Sequence, residues 1–91
     1  MNKVIQETYI KFAIRKGKIL AGYLYLPRVE GDRVAYSRKA QDGLVVDYTK
    51  DGLAIGIEIT SPSLFTLESL NHLLGELGQP TLRGRILASA G

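Results

Sequence analysis

The chain contains no cysteine, and this shortage excludes several kinds of site. Disulfides, thiolate nucleophiles and cysteine-based zinc or iron–sulfur centres are all ruled out. The chain also lacks an apolar run of about 18 residues, the length that a membrane-spanning helix needs. Basic residues such as Lys11, Arg15 and Lys16 interrupt each stretch that could serve as the apolar part of a signal peptide. We therefore expect a cytoplasmic protein with no membrane segment.

Length and composition indicate one small folded domain. The 91 residues are 45% hydrophobic and 23% charged, which excludes a disordered chain. A chain of this size buries about 60–65% of its extended surface, so its core is modest and a second copy would add to it. We expect a single α+β domain over residues 1–78, followed by a C-terminal tail over residues 79–91 that is either frayed or docks on a partner or on a second copy.

Charge is divided unevenly along the chain. Residues 1–39 hold nine basic and three acidic side chains, a net charge of +6. Residues 40–91 hold three basic and six acidic side chains, a net charge of −3. Two oppositely charged parts of one domain can attract a polyanion or favour self-association. The plainer interpretation is that the bases keep turns and edge strands soluble.

Alternating apolar residues predict five β-strands, which are separated by turns that contain glycine, and Pro27 ends the second of them. The predicted strands cover residues 8–15, 18–26, 33–39, 44–48 and 53–59. Their short connections favour antiparallel neighbours, because parallel strands need long crossovers. We therefore predict an antiparallel β-meander of four to five strands.

The apolar period changes to that of a helix in the last third of the chain. The leucines of one helical stripe are Leu67, Leu70, Leu73, Leu74 and Leu77. Thr66 is a suitable N-cap, and Gly78 fits the left-handed position that follows a helix. We predict a C-terminal amphipathic helix over residues 66–77, packed on one face of the sheet, so the expected fold class is α+β.

Three segments carry a resemblance to a known family: residues 23–26 (YLYL), 42–48 (DGLVVDY) and 51–59 (DGLAIGIEI). Over about residues 9–60 the chain resembles DUF2283, a family of small bacterial proteins. The resemblance implies a small α+β fold and no known catalytic residue. It also implies, for some members, an association with toxin–antitoxin-like gene pairs, so an antitoxin-like role in binding a protein partner is one expectation.

The helical row of Glu68, His72 and Glu76 is the main candidate for chemistry. Residues spaced by four share one helix face, where two carboxylates and an imidazole can hold a divalent metal or exchange protons. The alternative is an ordinary solvent-exposed row opposite the leucine stripe. The sequence has no Gly-x-Ser-x-Gly elbow and no phosphate-binding glycine fingerprint. We therefore expect a protein that is not an enzyme, with no metal site and no cofactor.

The outer side of the hairpin at residues 44–59 is the first candidate binding surface. Small and acidic residues there offer a closely packed interface for an isologous dimer, in a register that places Asp47 opposite Ala54. The members of this surface are Val45, Asp47, Ala54, Gly56 and Glu58. The alternative is that its acids are ordinary outward-facing strand residues.

Tyrosines interleaved with bases form the second candidate surface. This arrangement can stack single-stranded nucleic acid, although cross-strand tyrosine pairs also simply stabilise a sheet. Its members are Lys11, Arg15, Tyr23, Tyr25, Arg38 and Lys39. Taken together, the sequence favours a homodimeric, non-enzymatic interaction module that binds itself or a small protein partner. Single-stranded nucleic-acid binding is the alternative.

Overall fold

The computed structural model describes residues 3–5, 7–41 and 43–82. These residues form short and long β-strands, a 3₁₀ helix (Pro62–Leu64) and the α-helix α1 (Leu67–Glu76). The strands are β1 (Val4–Ile5), β2 (Tyr9–Arg15), β3 (Lys18–Tyr25), β4 (Arg28–Val29), β5 (Tyr36–Gln41), β6 (Leu44–Tyr48) and β7 (Ala54–Ile59). The predicted α+β class and the C-terminal helix are confirmed. No helix of the described residues is long and apolar enough to cross a bilayer.

Five strands form one antiparallel sheet in the order β2-β3-β7-β6-β5, while β1 and β4 pair in a separate ribbon. The predicted antiparallel pairing is confirmed, but the strand order is not that of a meander, because β7 lies between β3 and β6. Every β7 residue except Glu58 is buried, which agrees with the position of this strand between two neighbours. The exposed, basic strand β5 occupies an edge, where charged residues limit unwanted strand pairing.

The strand predicted at residues 33–39 lies further along the chain, at Tyr36–Gln41. The short strands β1 and β4 have too few residues to show an alternating pattern, and the sequence did not predict them. The predicted tail, residues 79–91, is described only as far as Leu82, and residues 83–91 lie outside the described residues.

Helix α1 covers one face of the sheet, here called the inner face. Its buried residues are Leu70, Leu73 and Leu74, whereas Leu67 and Leu77 are half-buried. The other residues of this core are Leu24, Leu44, Val46, Ala54, Ile57 and Ile59 of the sheet and Leu26, which follows β3. The hydroxyl oxygen of Thr66 accepts a hydrogen bond from the Ser69 amide at 3.0 Å, as expected of an N-cap. The predicted leucine stripe therefore holds α1 on the sheet.

A β-bulge at Ile55 changes the register between β6 and β7. Asp47 pairs with Gly56 but Tyr48 pairs with Ala54, so Ile55 is an extra residue on β7. The extra residue turns Ala54 to the inner face, where it joins the core. The predicted register, with Asp47 opposite Ala54, is therefore wrong, because simple alternation cannot show where a strand carries an additional residue.

The β2–β3 hairpin extends beyond the rest of the sheet. Residues 22–25 of β3 pair with β7, whereas residues 18–21 pair only with β2. We call residues 13–21, the part without a third strand, the arm. Lys16 and Gly17 both have positive φ values, 52° and 75°, which is the conformation of a tight hairpin turn. The arm is thus a two-stranded projection at one end of the sheet.

Candidate functional site

The sheet face away from α1, here called the outer face, carries alternate residues of all five strands. Two neighbouring rows cross it from edge to edge: Lys11, Tyr23, Glu58, Val45 and Lys39, and then Tyr9, Tyr25, Gly56, Asp47 and Ser37. The only α-helix of the described residues packs on the inner face. Because α1 covers the inner face, the outer face is the side of the sheet left for contacts with another molecule.

Asp47 differs from the other outer-face residues because its carboxylate is buried, with only 5% of the residue exposed. The Tyr23 hydroxyl donates a hydrogen bond to Oδ2 at 2.8 Å, and the Ser37 hydroxyl donates one to Oδ1 at 2.5 Å. No basic side chain of the described residues forms an ion pair with Asp47. Since a buried carboxylate is costly unless it is hydrogen-bonded, these two neutral donors are what make the position tolerable.

Glu58 lies half-buried next to Asp47. A hydrogen bond to Asp47 raises the pKa of Glu58, and burial and the negative charge of Asp47 raise it further. In its protonated form Glu58 is a hydrogen-bond donor for the Asp47 carboxylate. We call Tyr23, Ser37, Asp47 and Glu58 the tyrosine–carboxylate cluster.

Tyr23 lies across Gly56 to reach Asp47. A Cβ atom at position 56 would come within 2.8 Å of the ring carbon Cε2 of Tyr23, and closer still to its hydroxyl oxygen. Glycine is therefore required where the ring crosses β7. Burial, and then the hydrogen bond to Asp47, raise the pKa of Tyr23, so the hydroxyl keeps its proton and remains a donor. Gly56 lies on the outer face as predicted, but the ring of Tyr23 from the same chain covers it.

Two further tyrosines extend the cluster towards the edge strand β2. The rings of Tyr9 and Tyr25 stack with centroids 4.5 Å apart, and Tyr23 meets Tyr25 edge-on at 4.7 Å. The Lys11 amine lies 5.7 Å from the centre of the Tyr25 ring, and the Arg28 guanidinium lies 5.3 Å from it. These contacts engage the ring faces within the chain, where they stabilise the sheet.

The residues predicted to contact nucleic acid do not all lie on the same side of the sheet. Four of them share the outer face: Lys11, Tyr23, Tyr25 and Lys39. Arg15 lies at the end of the arm, paired with Lys18. Arg38 lies opposite Val46, whose side chain is in the inner core, so it belongs to the other face, 5.5 Å from the ring of Tyr36. Five of the six predicted residues thus lie on the outer-face side of the sheet, with Arg15 at the far end of the arm, and only Arg38 lies on the other side.

The predicted dimer surface is brought together in most of its members. Val45, Asp47, Gly56 and Glu58 are neighbours on the outer face, whereas Ala54 lies in the core. Val45 is half-buried between Glu58 and Lys39.

The helical row of Glu68, His72 and Glu76 lies on the exposed side of α1. The imidazole Nε2 of His72 is 3.4 Å from a Glu76 carboxylate oxygen, and these two side chains are 73% and 61% exposed. In the described part of the chain, no group of three or more potential metal ligands comes together. The row has the geometry of a solvent-exposed pair rather than of an enclosed site.

Sequence reasoning missed Ser37 and Arg28, and it did not pair Asp47 with Tyr23. Ser37 sits in a basic strand, and Arg28 follows a proline, so neither stands out by type or spacing. One signal was available: Asp47 is the single acid within the otherwise uncharged strand Leu44–Tyr48. An acid in such a strand implies partners, but only the strand order shows that they come from β3 and β5.

The fold and the outer face define a class: a two-layer α+β domain whose uncovered sheet face holds a buried tyrosine–carboxylate cluster. Residues 21–62 match the model of the family described as protein of unknown function (DUF2283). The resemblance predicted from the sequence is thereby confirmed for this stretch, which includes all four cluster residues. Comparisons with curated proteins and with solved structures gave no match.

Proposed function

We propose that this protein is a non-enzymatic interaction module that binds a protein partner, a second copy or another small protein, through its outer face. One observation carries the proposal. Helix α1 covers only the inner face, while the outer face presents partly exposed aromatic and aliphatic groups around a buried carboxylate.

The composition of the outer face supports a protein partner. Tyrosines are enriched in protein interfaces because they bury a large area at a small cost in conformational entropy. Tyr9 is 41% exposed, and Tyr25 and Val45 are half-buried, so further apolar area remains to be covered. Lys11 and Lys39 are exposed on either side of this area, as the polar rim of an interface would be.

The tyrosine–carboxylate cluster favours a binding role over catalysis. Both oxygens of Asp47 already accept hydrogen bonds, from Tyr23 and Ser37, and a hydrogen bond with Asp47 raises the pKa of Glu58. A general base must be free to reach the proton that it removes. Carboxyls held by one another and by a tyrosine instead fix the shape of the surface.

Nucleic-acid binding remains the second candidate, favoured by the position of Lys11 beside Tyr9 and Tyr25. Two features weaken it. The tyrosine faces are already stacked on one another, and the acids of the cluster lie next to them, where they repel phosphate. The protein-binding proposal accounts for the same rings without requiring them to separate.

A partner-capture experiment with a matched control tests the proposal. Val45→Arg places a long charged side chain on the outer face, and Leu64→Arg places the same side chain on the exposed 3₁₀ helix. Tagged wild type and the Leu64 variant should retain the same protein in the same amount, whether a second copy or another chain. The Val45 variant should retain at least about tenfold less, since a long charged side chain in place of a half-buried valine blocks close contact at a cost above about 1.4 kcal/mol.

Binding to a labelled single-stranded oligonucleotide, measured by fluorescence anisotropy at two salt concentrations, separates the alternatives. Salt-dependent binding by wild type that is lost in Lys11→Glu, with no protein retained, would replace the proposed function by the nucleic-acid alternative. Equal retention of the partner by all three proteins would show that the outer face is not the binding surface.

A further inference from the structure

We infer that the partner of the outer face is a second copy of this chain, with the basic end of each arm lying on the tyrosine–carboxylate cluster of the other subunit. The inference rests on the proposed function and names its partner. It is argued from the charge of the arm, the small residues beside it, and their position relative to Glu58.

The end of the arm is strongly basic. It holds Arg15, Lys16 and Lys18, all exposed, and residues 13–21 include no acid. Arg15 and Lys18 are a cross-strand pair, and both lie on the outer-face side of the hairpin. Like charges directly opposite each other destabilise a strand pair, so an acidic surface placed on this pair would relieve repulsion.

The tyrosine–carboxylate cluster is the acidic counterpart. Among the described residues, neither Asp47 nor Glu58 forms an ion pair, and Glu58 is only half-buried. A base from outside the chain can therefore approach Glu58, while Asp47 stays behind it. The same division appears in the sequence, whose first 39 residues are net basic and whose remainder is net acidic.

Small residues separate the two charged groups on the outer face. Ala13 and Ala21 face each other across β2 and β3, and they line a shallow depression of about 310 Å³ together with Gly22 and the larger residues Lys11, Phe12 and Tyr23. Leu20, the extra residue of a bulge beside them, is 54% exposed. A surface of small residues such as Ala13 and Ala21 allows another backbone to approach closely.

The position of this small-residue surface makes it suitable for a two-fold axis. Along β3 the outer-face residues follow in the order Lys18, Ala21 and Tyr23, and Glu58 lies beside Tyr23 on β7. Ala21 is thus between the bases and the acid. A two-fold axis beside Ala21 exchanges the two ends, so that Lys18 of each subunit faces Glu58 of the other and the pair of contacts is made twice.

A charge exchange between two variants tests this arrangement. Wild type at about 10 μM should give twice the chain mass by light scattering, since stable interfaces of standard size hold at that concentration. Lys18→Glu alone and Glu58→Lys alone should each be monomeric, because each places like charges together at both contacts. Mixed in equal amounts, the two variants should recover the dimer, since Lys18 then meets Glu at position 58, and Glu at position 18 meets Lys at position 58.

Lys50→Glu and Glu76→Lys are the matched controls, since they make the same changes of charge at exposed positions of a turn and of α1. Both should remain dimeric, and thermal melts should show that every variant is folded. If Glu58→Lys does not fold, Lys18→Glu mixed with Glu58→Gln replaces the exchange and should recover part of the dimer.

Three results would overturn the inference: a monomeric wild type, single variants that stay dimeric, or folded variants that do not pair when mixed. The first would leave the proposed function standing if the outer-face variant Val45→Arg still lost another protein partner. Failure of the proposed function would instead appear as equal retention of the partner by wild type and by Val45→Arg.

Discussion

The β6–β7 hairpin and the arm of the β2–β3 hairpin are both antiparallel strand pairs closed by turns with a glycine at positive φ. The first lies in the middle of the sheet, with β3 and β5 on either side of it and α1 below. The second has no third strand, and its apolar residues Ile14, Ile19 and Leu20 are 40–54% exposed. Alternation of residue types describes both hairpins equally well, so it does not decide which one is covered.

The two hairpins differ in the residues that they place on the outer face of the sheet. In β7 the residues between the core isoleucines are small or acidic, and Gly56 in particular leaves room for the ring of Tyr23. In the arm the corresponding positions include Arg15 and Lys18, whose charged groups keep that face in solvent. On the outer face of the central hairpin, Tyr23 thus covers Gly56 while Val45 and Glu58 stay partly exposed, whereas the arm is exposed along its length.

The largest expected effect comes from shortening a core side chain of the central hairpin. Ile57→Ala should lower the free energy of unfolding by about 2–5 kcal/mol, because Ile57 is fully buried and its removal leaves a cavity. Ile14→Ala makes the same change in the arm, where the side chain is 53% exposed, and should cost less than about 1 kcal/mol. Urea unfolding of the two variants measures the contrast. Equal losses would mean that the arm is covered in the isolated subunit.

Adding a methyl group to Gly56 should have the next largest effect. Gly56→Ala forces Tyr23 off β7 and away from Asp47, at a cost of about 1–3 kcal/mol. Gly17→Ala in the arm should cost about 1 kcal/mol for a different reason, its positive φ. A double-mutant cycle with Tyr23→Ala, followed by urea unfolding, separates the two causes. In a protein that already carries Tyr23→Ala, Gly56→Ala should cost much less free energy of unfolding, whereas the cost of Gly17→Ala should be unchanged.

Local features of the fold could be predicted from the sequence because their causes are local. The glycine turns, the Thr66 cap and the leucine stripe of α1 all depend on residues a few positions apart. The strand order could not be predicted from alternation, since it depends on which strands cover both faces of β7. The bulge at Ile55 was equally hidden, and with it the position of Ala54.

The candidate site was predictable only in its parts. Tyr23, Asp47 and Glu58 were each singled out, but on two separate surfaces, because a meander keeps β3 apart from β7. Placing β7 beside β3 brings Tyr23 opposite Glu58 and within reach of Asp47, 24 positions away in the sequence. Pairing over such a separation is set by the whole sheet, so no short motif records it.

Removing the Tyr23 hydroxyl should have a smaller effect than displacing the whole ring. Tyr23→Phe deletes the donor to a buried carboxylate and should lower the free energy of unfolding by about 1–2 kcal/mol. Tyr9→Phe is the matched control, since Tyr9 stacks on Tyr25 and is 41% exposed. Its cost should be within about 0.5 kcal/mol of zero. Guanidinium unfolding compares the two variants, and an equal loss for both would argue that Asp47 does not depend on the Tyr23 hydroxyl.

The smallest effect concerns pH. The folded protein holds a proton on Glu58 to a higher pH than the unfolded chain does, because the pKa of Glu58 is raised by Asp47 and by burial. The folded state therefore binds more protons between the ordinary glutamate pKa and the raised one, and this part of the stability decreases as the pH increases through that interval.

Glu58→Gln keeps a hydrogen-bond donor to Asp47 but cannot ionise, so it should gain stability relative to wild type across the interval. Urea unfolding at several pH values from 4 to 8 measures the difference, with the exposed Glu68→Gln as the control for loss of a carboxyl. A Glu58→Gln difference that is the same at every pH would show that folding does not raise the pKa of Glu58.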